Sequence, residues 1–112
     1  KQRAQASGYL SIPPGPLAFF GIVEPAMVEW VAARVTPHPY QTYFDKLELQ
    51  HPVGNGLPVT YIAVSNPYFP NIASSREYAR AQPGWTYLEI PTAHDAMLLM
   101  PDELAQMLAR ID

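Results

Sequence analysis

Pro58-Val59-Thr60-Tyr61-Ile62-Ala63-Val64-Ser65 is the run on which the fold turns. β-branched and aromatic residues dominate it, and its apolarity is almost unbroken. That is the pattern of a strand covered on both faces. Asn66-Pro67 ends the run. Residues 70–82 then read as a helix closed by Pro83-Gly84, and Trp85 to Ile90 read as a second strand. Pro101 suits a first helical turn, and Asp102 and Glu103 sit where the positive end of the helix dipole favours them. Leu104, Met107, Leu108 and Ile111 follow at i, i+3, i+4 and i+7, which predicts the core face of that last helix. Strand, helix, strand, helix is a βαβ unit with a parallel, right-handed crossover, so the fold class is α/β.

Two parallel strands do not make a sheet that can stand alone, because a parallel sheet needs neighbours and helices on both faces. The residues upstream offer little of this. Residues 8–24 are irregular, and Pro13-Pro14-Gly15-Pro16 forbids a helix there. Pro25 opens a helix over about residues 25–35, with Val28, Val31, Ala32 and Val35 on one face. Thr36-Pro37-His38-Pro39 stops it. Residues 40–49 hold a short helix or turn, and Val53-Gly54-Asn55-Gly56 is a loop. The sequence thus predicts a fold that another chain completes, or that self-associates as a homodimer.

At 112 residues, 48% hydrophobic and 15% charged, the chain has the composition of one small globular domain. A net charge of −3 gives no clustered basic footprint for nucleic acid. No apolar run approaches the roughly 18 residues that cross a membrane. The chain has no cysteine, which excludes thiolate catalysis and a disulfide framework and fits a reducing, cytoplasmic setting. Lys1-Gln2-Arg3-Ala4-Gln5-Ala6-Ser7-Gly8 has no apolar core of a signal peptide. It reads as a polar helix end or exposed loop, the kind of segment where proteolytic nicking concentrates.

Ile90-Pro91-Thr92-Ala93-His94-Asp95-Ala96-Met97 places a histidine on a loop between the second strand and the last helix. A histidine so placed is the chemistry of a general base. Its neighbours carry a resemblance. Residues 30–49, with Arg34-Val35-Thr36-Pro37-His38-Pro39 and Thr42-Tyr43, resemble the end of the cap region in small α/β-hydrolases, the group of plant methyl esterases, hydroxynitrile lyases and their bacterial esterase relatives. Leu57 to Ile62 is similar to their penultimate strand. Pro83-Gly84-Trp85 through His94-Asp95-Ala96-Met97, with Pro101-Asp102-Glu103-Leu104-Ala105, is similar to their last strand, histidine loop and final helix. The resemblance spans nearly the whole chain and is most specific over residues 83–105.

The resemblance divides the chain into residues 1–50, the end of the cap and the return to the core, and residues 51–112, the carboxy-terminal βαβα part of the core. It implies a carboxylesterase acting on small-molecule esters by acyl transfer, with no cofactor and no metal. The family triad runs in the order Ser, acid, His, with the serine in a G-x-S-x-G elbow. His94 matches the histidine. Asn66 matches the acid, and this is a departure. An asparagine can accept a hydrogen bond from the imidazole but brings no charge to the imidazolium, and such a change can cost about 10⁴ in turnover. Three explanations fit this departure: an acid supplied after an earlier strand in the missing part, a weakened or lost activity, or an engineered change. None of Ser7, Ser11, Ser65, Ser74 and Ser75 has glycine at both −2 and +2. The nucleophile therefore belongs to an amino-terminal hydrolase fragment, the expected partner, and the chain alone is expected to be inactive.

Two other functions fit the same residues. One is a non-catalytic ligand-binding relative, which Asn66 supports. The other is a hydroxynitrile-lyase-type carbon–carbon lyase, which the absence of lysine at 95–100 disfavours. Phe19, Phe20 and Trp30 are candidates for an apolar wall over the substrate, against the plainer reading that they pack the core between cap and body. Met97 is carried with them, although Met97 and Met100 also read as core. Asp95 follows His94 directly and reads as a loop hydrogen-bonder, His38 as a structural residue between two prolines, and His51 as a solvated loop residue. Glu24, Glu29 and Glu48 read as a solvated face. The histidines at 38, 51 and 94 show no metal-ligand spacing.

Overall fold

The structure, a computed structural model, describes Gln5, Ser7, Gly8 and residues 10–111. The reading of residues 1–8 as a polar helix end or loop lies largely outside the described residues. The chain divides into two compact units, Lys1–Gln50 and His51–Asp112.

In the first unit, β1 (Ser11–Ile12) pairs antiparallel with β2 (His38–Pro39). The sequence predicts irregular backbone for the first segment and only a helix stop for the second, so this ladder is a correction. Pro39 sits at the end of this two-residue ladder, where its missing N–H costs nothing. A 3₁₀ turn at Leu17–Phe20 ends on Gly21 in the left-handed region. α1 (Pro25–Ala32) starts at the expected proline and is shorter than the predicted 25–35. Glu24, read as part of a solvated face, caps this helix instead: its carboxylate accepts from the N–H groups of Ala26 and Met27 at 3.1 and 2.7 Å. Two of the unsatisfied first-turn donors are thereby satisfied. Residues 40–43 form a further 3₁₀ turn.

The second unit is mixed α/β around a small parallel sheet. β3 (Thr60–Val64) and β4 (Thr86–Ile90) pair parallel, with Thr60 beside Thr86 and Val64 beside Ile90. β3 is three residues shorter than the predicted run and β4 one residue shorter. The segment between them enters through a 3₁₀ turn at Pro70–Ile72 and continues as α2 (Ala73–Ala81). The loop before β3 runs through three consecutive left-handed residues, Gly54 (φ 86°), Asn55 (φ 46°) and Gly56 (φ 80°). Side chains alternate across a strand, so Tyr61, Ala63, Tyr87 and Glu89 share one face. Tyr61 and Tyr87 stack there with ring centroids 5.6 Å apart. Arg80 of α2 covers this face, its guanidinium 4.7 Å from the Tyr87 ring centre and 2.6 Å from Glu89.

Thr60, Ile62, Val64, Thr86, Leu88 and Ile90 form the opposite face. Between the end of β4 and the last helix the chain makes an extra turn, α3 (Ala96–Leu99), separated from α4 (Pro101–Leu108) by Met100 at φ −141°. Met107 and Ile111 join Pro58, Thr60, Thr86, Leu88 and Arg110 around a groove of about 560 Å³. The predicted core face of α4 is therefore only half realised. Leu104 and Met107 are partly buried, while Leu108 and Ile111 stay 54% and 39% exposed. Among the described residues no further strand pairs with either edge of β3–β4. Ala63, Val64, Phe69, Ala79, Ile90 and Ala96 are the buried apolar residues of this unit.

Candidate functional site

The carboxyl ends of β3 and β4 lie side by side, and the loops that leave them carry Asn66 and His94. In open α/β sheets this is the end at which ligands are bound. Two backbone bonds tie the loops together. Ser65 N–H donates to the Ile90 carbonyl at 3.0 Å, and Asn66 N–H donates to the Thr92 carbonyl at 3.1 Å. The Ser65 hydroxyl also donates to the Ile90 carbonyl at 3.2 Å, which occupies it structurally. Thr92 is 6% exposed and anchors the start of the histidine loop. Asn66 precedes a cis peptide bond to Pro67 and is exposed.

His94 is half-buried, with Nδ1 shielded from solvent. Its ring lies almost parallel to that of Phe69, with centroids 4.1 Å apart and planes 21° apart. Phe69 is itself buried at 8% exposure, just ahead of the Pro70–Ile72 turn. Its carbonyl accepts from Arg76 Nη1 at 2.6 Å, and the Arg76 guanidinium lies 4.7 Å from the Tyr68 ring centre. A residue from the first loop thus forms the floor under the histidine of the second. Sequence reasoning missed Phe69, and only the parallel pairing of β3 with β4 brings it to His94.

Beside this pair the structure assembles a second polar cluster. Tyr68 Oη donates to Glu89 Oε1 at 2.8 Å, and Arg80 Nη2 reaches the same oxygen at 2.6 Å and Tyr68 Oη at 3.4 Å. Hydrogen bonding to Tyr68, then to Glu89, raises the Arg80 pKa above its ordinary value. All three side chains are exposed, so this cluster is a surface clamp between α2, β4 and the Asn66 loop.

The remaining candidates fall elsewhere. Met97 lies in α3 and is 61% exposed, so it is not the core residue one reading made it. Asp95 N-caps α3 through its backbone carbonyl, which accepts from Leu98 and Leu99, and its carboxylate makes no cap bond. Phe19 and Phe20 belong to the first unit, in edge-to-face contact at 5.4 Å. Trp30 is there too, half exposed on α1 beneath the Arg34 guanidinium at 4.0 Å. His38 hydrogen-bonds Thr42 Oγ1 at 2.7 Å and sits edge-on to Tyr43, a local structural role. His51 is exposed. Asn66, His94 and Met97 are therefore gathered in the second unit, while the three aromatic candidates sit in the first.

Among the described residues no group of three or more His, Cys, Asp or Glu is placed to hold a metal ion. No helix among them is long and apolar enough to cross a membrane. No family model, no curated protein and no solved structure matches this chain.

Proposed function

We propose that this chain is the carboxy-terminal part of a serine-dependent α/β-hydrolase that cleaves small-molecule esters. The observation that carries the proposal is the placement of Asn66 and His94 on adjacent loops, bonded together at Asn66 N–H and Thr92 O, at the carboxyl end of a parallel strand pair. Acid and histidine positions on consecutive strand ends, in that chain order, suit the Ser, acid, His sequence of this fold. In the reaction, His94 takes the proton of the serine hydroxyl as that oxygen attacks the ester carbonyl. It then returns the proton to the leaving alkoxide, and repeats the cycle with water to release the acid. The serine and its oxyanion donors come from the amino-terminal part of the sheet.

Among the described residues neither edge of β3–β4 is paired, which supports this division, because a two-stranded parallel sheet lacks the neighbours that such sheets require. The large exposed apolar side chains, Leu57 at 73% and Leu108 at 54% among them, support it too. A second reading, a ligand-binding relative without catalysis, is favoured by Asn66 alone.

A native mass spectrum of the material purified from its source tests the division. The proposal expects this 12.5 kDa chain in complex with, or continuous with, a larger segment that a fluorophosphonate labels on serine. A lone chain with no such partner and no labelled serine contradicts it.

A further inference from the structure

We infer that Phe69 is the positioning residue of this site: its ring holds the His94 imidazole in one plane and its π face attracts the imidazolium. The inference rests on the hydrolase reading above. Three observations support it. The two rings are stacked at 4.1 Å and 21°, close enough for the π face to attract a cation, which it does within about 6 Å of its centre. Phe69 is buried, so that attraction is little screened by water. Its backbone is pinned, because the Phe69 carbonyl accepts from Arg76 Nη1 at 2.6 Å and from Ile72 N–H at 3.4 Å.

The chemistry makes such a floor useful here. In a serine triad the acid orients the imidazole and stabilises the imidazolium as the proton arrives. Asn66, in the acid position, contributes no charge to the second task. A buried aromatic face against the ring supplies an attraction that grows when the ring becomes cationic, which is the differential stabilisation a transition state needs. It also restricts rotation of the imidazole out of the plane in which Nε2 meets the serine, and small misplacements of that kind can cost about 10²-fold in rate.

The test has a spectroscopic arm and a kinetic arm. In the chain as it stands, NMR should find the His94 ring protons displaced upfield by the Phe69 ring current. Phe69→Leu should remove the displacement and Phe69→Tyr should keep it. In the complete enzyme, Phe69→Leu should lower kcat by about 10²-fold with little change in KM. Phe69→Tyr should retain most of the rate, and the Phe69→Leu loss should shrink in an Asn66→Asp background. Ring protons at unshifted positions in the wild type overturn the inference. So does a Phe69→Leu enzyme that has lost the shift but kept its kcat. Failure of the hydrolase reading is seen separately, as a His94→Ala enzyme as fast as wild type, and that result overturns this inference with it.

Discussion

The backbone N–H of Asn66 donates to the carbonyl of Thr92 at 3.1 Å, and this bond extends the β3–β4 ladder past the ends of both strands. It continues the register that pairs Val64 with Ile90 and sets the Asn66 and His94 loops against each other. Their separation in sequence is thereby converted into adjacency at one end of the sheet.

In the proposed hydrolase, replacing Asn66 by Asp should raise turnover by up to about 10⁴, because a carboxylate stabilises the imidazolium where the neutral amide does not. Steady-state kinetics on a short aryl ester reads this directly. An unchanged rate would assign the acid to a different strand.

Gly54 should be the least replaceable glycine of the loop before β3. It has φ 86°, and a Cβ there would come within 2.5 Å of Val59 Cγ2. Gly56 has a similar φ of 80° but open space around it. Gly54→Ala is therefore expected to cost more than Gly56→Ala, about 2–3 kcal/mol against about 1. Urea denaturation midpoints of the two variants give the comparison.

Ile90, at 1% exposure, closes the sheet just before the histidine loop. Ile90→Val should lose about 1 kcal/mol and Ile90→Ala about 2–5 kcal/mol, because the buried site cannot fully collapse around the missing atoms. The same denaturation experiment reads both. Equal, negligible losses would mean that this end of the strand is not packed as described.

Glu24→Ala should shorten or fray α1, since the carboxylate satisfies the Ala26 and Met27 N–H groups. A loss of about 1 kcal/mol is expected for the capping bonds. Faster amide exchange at Ala26 and Met27 is the specific readout.

The Arg80–Glu89 pair is expected to matter little to stability, being exposed on both sides and open to screening by salt. The sign of its pH dependence follows from the raised Arg80 pKa. A group whose folded-state value is raised contributes below its ordinary value and loses that contribution only as pH rises through the raised one. For an arginine this window lies far into alkali, so Arg80→Ala should leave the slope of stability against pH near neutrality unchanged.

What could be read from the sequence depended on the length of the signal. The β3 run carried its own evidence in β-branched residues, and Pro25 and Pro101 marked helix starts that the structure keeps. The Ser11–Ile12 ladder with His38–Pro39 left no such trace, because two residues on each side show no periodicity and both segments are proline-rich. α3 is a single turn, too short to repeat a pattern. Spacing predicted Leu108 and Ile111 as core, yet spacing cannot say whether a partner layer is present to bury them. At the candidate site, the loop that carries His94 is legible in the sequence, between the β4 run and the Pro101 helix start. The stacking of Phe69 on His94 is not legible there, because the two rings are 25 residues apart and only the parallel pairing brings them together.

His94 is proposed here as the general base of an ester hydrolase. The most direct measurement is the rate of hydrolysis of a short aryl ester by the complete enzyme, before and after His94→Ala. His94→Ala should lower kcat by several orders of magnitude with the fold intact. Equal rates in the two proteins would contradict it.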